Sequence, residues 1–290
     1  ALAGSEFIQS GRKFDFIGFD ACQMGNYEAV SALKELSYYY IGSEENEYGT
    51  GWDYQTLFSD LDNKPKLGTG ELGKKVVDAH VKKFEKDMLS CLSLVDLTKV
   101  DELDSAVSIF AENLLKEIEQ TESAYYEVLN IVGKKSHFAT RNGVDTSNYL
   151  DLKRFVTPFA SDDSVFSKEL KDAANNVLKN LDECVLYNRW LERDVQNGGL
   201  SIYFPLAAYY VMNIDNNGTV SYYETASEAV KIYETTGLNN EYKKVIARFA
   251  LMNLAAKLIG DDWQTENIKN RGNLIATIRD SDEWKNEWKD

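Results

Sequence analysis

Apolar residues fall in a short run at Phe14, Phe16, Ile17 and Phe19, and from Met24 they change to helical spacing through Tyr27, Ala29, Val30, Leu33 and Leu36. The pattern predicts a strand over 14–22 and a helix over 24–36. The alternation then continues with a strand over 38–43, a Gly-containing loop, helices near 52–61 and 70–88, and a strand over 90–95. Strands separated by helices imply an α/β fold with a mostly parallel central sheet, covered by helices on both faces. From Thr98 the spacing becomes helical over about 98–118, 122–131, 148–157 and 163–190, and Gly199 to Phe204 returns as a strand stopped by Pro205. We therefore expect an α/β half over 1–105 and a mainly helical region over 106–290, with a return strand near 199–205. Glu241 to Ile259 reads as a further amphipathic helix.

The switch from strand to helix falls on Asp20-Ala21-Cys22-Gln23-Met24. In open α/β sheets, ligands gather beyond the carboxyl ends of strands. A thiol there can meet the positive end of the following helix, which favours the nucleophilic thiolate. The alternative is a small buried hydrophobe at a strand end. Asp20 reads either as a carboxylate for a cationic ligand or as a cap on the next helix. Asp53, Glu44, Glu45 and Glu47 are further acidic candidates, and as loop residues they read equally well as solvated.

Four words in one order carry a family resemblance: Asp20-Ala21-Cys22-Gln23-Met24, Tyr40-Ile41-Gly42-Ser43-Glu44-Glu45, Gly49-Thr50-Gly51-Trp52-Asp53-Tyr54, and Gly199-Leu200-Ser201-Ile202-Tyr203-Phe204-Pro205. Together they resemble the clostripain family of cysteine peptidases. That resemblance implies a caspase-like α/β/α sandwich, Cys22 as nucleophile, and Asp20 as the acidic residue selecting Arg or Lys before the cleaved bond. It also implies secretion or a cell-envelope location.

A thiol peptidase needs an imidazole to hold the thiolate and protonate the leaving amine. The family's histidine lies upstream of the cysteine, yet no histidine precedes Cys22; His80 and His137 both follow it. His80 lies on the amphipathic pattern 72–84, and His137 in a polar segment. Family members are cut between the histidine half and the cysteine half, so the resemblance implies that this chain is the heavy chain of a processed enzyme. Its partner would be an N-terminal light chain carrying the histidine, and maturation would cleave before Ala1. A self-sufficient cysteine hydrolase using His137 is one alternative. A peptide-binding module on an inactive peptidase fold is another.

Composition narrows the class. With 290 residues, 43% hydrophobic and 12% aromatic, the chain can bury a sizeable core. A net charge of -15 argues against a nucleic-acid partner and suits cationic substrates. No run approaches the roughly 18 apolar residues of a membrane span. Three cysteines make no disulfide framework, and Cys91 and Cys184 read as buried small hydrophobes. The chemistry requires no cofactor. Asn213 to Glu224 nearly satisfies a calcium loop, but Asn217-Gly218 makes the same segment a good hairpin turn.

Overall fold

The computed structural model describes residues 2–63, 67–85, 90–134, 140–141, 144–145, 149–191, 197–204, 213–214, 220–221, 238–246 and 248–249. A short helix α1 (Glu6–Gln9) leads into β1 (Phe14–Gly18), α2 (Tyr27–Leu33), β2 (Ser37–Gly42), α3 (Tyr54–Asn63), α4 (Thr69–Lys83) and β3 (Cys91–Asp96). Then come α5 (Val100–Gln120), α6 (Glu122–Lys134), β4 (Thr140–Arg141), β5 (Val144–Asp145), β6 (Tyr149–Asp151), α7 (Leu152–Ala160), α8 (Lys168–Cys184) and β7 (Val185–Trp190). Three short strands follow, β8 (Ser201–Tyr203), β9 (Asn213–Ile214) and β10 (Val220–Ser221).

The main sheet has the order β1-β2-β3-β7. Only β1 and β2 run parallel; β3 is antiparallel to β2, and β7 to β3. The expectation of a mostly parallel sheet is corrected here for these strands. One helix separates β1 from β2, so the chain crosses back once and re-enters in the same direction. Two helices, α3 and α4, separate β2 from β3, and an even number of crossings returns the strand antiparallel. Strand β7 was hidden within the expected helix 163–190. Its residues Val185, Leu186, Tyr187 and Trp190 favour a strand, but no Gly or Pro marks the stop after Cys184.

One core cluster joins Tyr27, Val30, Tyr40 and Val95 to apolar residues of α5 to α8, and then to Leu200, Ile202, Phe204, Tyr242 and Phe249. Helix α5 runs unbroken through residue 105, burying Leu103, Val107, Phe110 and Leu114 at three- and four-residue spacing. A smaller cluster packs Val76 and Val77 of α4 against Ile41, Leu92, Leu94 and Trp52.

The sheet is covered unevenly. In β3, Cys91 to Val95 are all buried, whereas no residue of β1 is, although Phe14, Phe16 and Ile17 are apolar. Among the described residues β1 is also an edge strand.

The return strand β8 sets the back of the cysteine turn. The Ser201 backbone N–H and hydroxyl both donate to the Gly25 carbonyl, at 2.9 and 3.2 Å, and the Tyr203 N–H donates to Glu28 Oε1 at 3.0 Å. Tyr242 closes the far side by donating its hydroxyl to the Tyr203 carbonyl. β9 and β10 pair antiparallel, Ile214 opposite Val220. The other residues of the calcium-loop candidate Asn213 to Glu224, and His137, lie outside the described residues.

Candidate active site

Strand β1 ends at Gly18, four residues before the cysteine. Beyond it the chain runs beside the end of β2: the Gln23 N–H donates to the Glu45 carbonyl and the Gly25 N–H to the Ser43 carbonyl. Gly25 is required by this close approach, since a Cβ there would stand 2.7 Å from the Glu44 nitrogen. Gln23 takes a φ of 56°, the left-handed region that non-glycine residues rarely enter. The sequence places the helix start at 24; the structure starts α2 at Tyr27, with Asn26 as its cap through a bond from the Ala29 N–H. Backbone pairing of residues 23–25 with 43–45 delays the helix, so Cys22 does not sit on its first turn.

Cys22 is exposed and is the one exposed thiol of the three; Cys91 and Cys184 are buried. The Glu47 backbone N–H donates to Cys22 Sγ at 3.3 Å. That contact ties the turn after β1 to the loop after β2.

Beside the thiol lies an acidic cluster built by three separate segments. Asp20 Oδ2 accepts the Trp52 backbone N–H at 3.0 Å and the Tyr54 hydroxyl at 2.8 Å. Gly51, with a φ of 64°, faces the same carboxylate, where any Cβ would collide with it. The Trp52 ring lies over Gly18, and its indole N–H donates to both carboxyl oxygens of Glu47 at 3.1 Å. Glu47 lies beside Asp20, close enough for the two carboxyl groups to act on each other. Burial, with the neighbouring Asp20 charge adding to it, pushes the Glu47 carboxyl up to about 8 in spite of the indole bond. Its side chain is only 4% exposed.

Helix α4 closes the cluster from below. His80 is buried, its Nδ1 lies 3.9 Å from Glu47 Oε2, too far for a hydrogen bond, and burial lowers it to about 4. Three residues on, Lys83 Nζ donates to the carbonyls of Thr50, Gly51 and Trp52 at 3.1, 2.6 and 3.3 Å. The loop is thus held by a carboxylate on its N–H side and an ammonium on its C=O side.

The sequence candidates separate accordingly. Cys22 and Asp20 come together, joined by Glu47, which the sequence left among three equivalent loop carboxylates. Asp53 instead caps α3: Thr56 donates its backbone N–H and its hydroxyl to the Asp53 carboxylate, which lowers it. Glu44 is fully buried against Asp151, the cap of α7, and burial together with that neighbour raises its carboxyl. The Glu45 carbonyl accepts from Gln23. Trp52, Tyr54 and Lys83 escaped the sequence reading as site residues; the signal for two of them was the Gly49-to-Tyr54 word.

A family model described as the clostripain family matches residues 4–242. The chain belongs to the clostripain family. Among solved clostripain-family structures, an inactive zymogen C11 protease from Parabacteroides distasonis is 19% identical with a TM-score of 0.53. The match covers 82% of this chain and 60% of that protein, so this clostripain-family chain spans less than two thirds of that zymogen's length. A clostripain from Bacteroides thetaiotaomicron, solved with a peptide inhibitor, is 16% identical with a TM-score of 0.49 over 74% of this chain and 88% of its own. A secreted C11 cysteine protease from the same organism is 16% identical with a TM-score of 0.48, over 81% and 62%. Among functionally curated proteins, none matches this clostripain-family chain. At 19% identity and a TM-score of 0.53, the likeness to the zymogen C11 protease shows the fold alone, the caspase-like one anticipated.

Proposed function

We propose that this chain is the cysteine-bearing part of an endopeptidase that cleaves after Arg or Lys. The observation that supports it best is the pairing of the exposed Cys22 thiol with the Asp20–Glu47 acidic cluster, linked through the 3.3 Å contact from Glu47 to the sulfur. A basic side chain seated on Asp20 would bring the following carbonyl to Cys22 Sγ. The sulfur attacks that carbon, backbone N–H groups receive the oxyanion, and the C–N bond breaks as an imidazolium protonates the leaving amine. Water then attacks the thioester, releasing the acid and restoring the thiol.

The imidazole comes from another segment. Among the described residues the one histidine is His80, which is buried and lowered to about 4, a poor proton carrier at neutral pH. The half-exposed apolar side chains of β1, at the edge of the described sheet, support a further segment of the protein packing there. The light chain of a cleaved precursor, cut before Ala1 by the enzyme itself, fits that role and a secreted enzyme.

The test is Cys22→Ala in the full-length precursor. Turnover of Arg- and Lys-containing fluorogenic peptides should vanish, and so should the cut before Ala1. A purified variant that still matures unaided would remove autoprocessing from the proposal. Full activity from residues 1–290 alone would replace the light-chain histidine by His137.

A further inference from the structure

Glu47 sits behind Asp20, almost out of solvent, and faces a defined set of groups. Asp20 approaches from the end of β1 and Cys22 from the turn that follows, the latter meeting only the Glu47 backbone. Trp52 offers its indole N–H, Tyr54 shares Asp20, and α4 contributes His80 at 3.9 Å and, through the carbonyls of residues 50–52, the Lys83 ammonium. A single indole N–H shared between two oxygens is little support for a buried anion. His80, neutral and with Nδ1 unpartnered, adds no charge. A hydrogen placed on Glu47 and directed at Asp20 satisfies both carboxyl groups with what is present.

We infer that Glu47 is a specificity-determining residue paired with Asp20: in the empty pocket it carries a hydrogen directed at Asp20, and a basic side chain seats between the two carboxyl groups in exchange for that proton. This rests on the reading of the pocket as the Arg/Lys site. The exchange balances. The incoming cation takes the place of the carboxyl hydrogen, Glu47 becomes a carboxylate, and one proton leaves to solvent. Substrate affinity is then proton-linked. Below the titration of Glu47, selection for a basic side chain strengthens as pH rises, by up to tenfold per pH unit for one proton, and above it selection is flat.

Two measurements on the active enzyme decide it. The first compares kcat/KM, from pH 6 to 9, for peptides carrying Arg or its uncharged isostere citrulline before the cleaved bond. Taking the ratio cancels the titration of the thiol and the imidazole. The ratio should climb with pH and level off near 8, where the Glu47 carboxyl titrates; in Glu47→Gln it should stay above one but lose its slope. A ratio near one at every pH removes the basic-specificity reading itself. A large but pH-independent ratio in the wild type leaves that reading standing and overturns the role of Glu47. The second needs no variant: calorimetric titration of the wild type with agmatine at pH 7, in two buffers of different ionisation enthalpy. Release approaching one proton per agmatine bound is expected; binding with none released overturns the inference.

Discussion

Asp20 accepts the Tyr54 hydroxyl at 2.8 Å on the same oxygen that receives the Trp52 N–H. An amide oxygen can keep both bonds, so Asp20→Asn removes charge while leaving the loop anchored. A cation in the pocket then loses its partner, at a cost of roughly 3–5 kcal/mol by analogy with broken buried pairs. We expect kcat/KM for Arg and Lys peptides to fall by about two to four powers of ten. Alkylation of Cys22 by iodoacetamide should proceed at a comparable rate. Loss of both would show that Asp20 supports the turn rather than the pocket.

Lys83 should govern loop order. Its ammonium serves three successive carbonyls from an exposed position, so the net effect of each bond is modest. Lys83→Met should lower kcat/KM for basic substrates by about five- to twentyfold, on the order of 1–2 kcal/mol, chiefly through KM. Chymotrypsin or hydrogen-exchange mapping should find residues 48–54 more open. Unchanged exchange in that stretch would assign the loop's order to Asp20 alone.

His80 makes acid stability asymmetric. Its folded value of about 4 lies below the ordinary 6.5, so the folded state binds fewer protons than the unfolded state between those values. Its contribution is therefore complete above pH 6.5 and is lost as pH falls towards 4, by up to about 3 kcal/mol. Glu47 runs the opposite way, its raised carboxyl weakening the fold as pH rises from 4.5 to about 8. The difference in melting temperature between wild type and His80→Phe isolates the histidine. It should shift in favour of the variant on going from pH 7 to 4.5.

Gly25→Ala should disable the turn without touching the chemistry. The new methyl would meet backbone atoms of Ser43 and Glu44 at 2.7 Å, and backbone cannot swing aside as a side chain can. A destabilisation of about 1–3 kcal/mol is expected, with a greater loss of kcat than of the overall fold as seen by circular dichroism. Wild-type turnover in this variant would show that the 23–25 segment need not lie against β2.

Much of the scaffold was legible because periodicity is a local property. The strand before Cys22, helices α4 and α5, and the burial of Cys91 and Cys184 all follow from spacing. Strand direction was not local: it depended on how many helices cross between strands. Glu44, Glu45 and Glu47 defeated sequence reading for a related reason. Three glutamates in one polar loop carry the same signal, and only tertiary neighbours sort them. Glu44 is buried beside Asp151, whereas the Trp52 indole holds the Glu47 side chain behind Asp20. Asp53 was misleading because an Asx-capped turn and a pocket carboxylate look alike in sequence, until Thr56 is seen to occupy both oxygens.

The Gly25–Ser201 contact spans 176 residues of chain. Closing so long a loop is slow compared with forming the local helices, because its entropy must be overcome before the contact forms. On a ribosome, the cysteine turn emerges long before the strand that backs it. A nascent or truncated chain ending before residue 201 carries the thiol yet lacks the wall that fixes its aim, so topology alone keeps the nucleophile unset until synthesis of the core is nearly done.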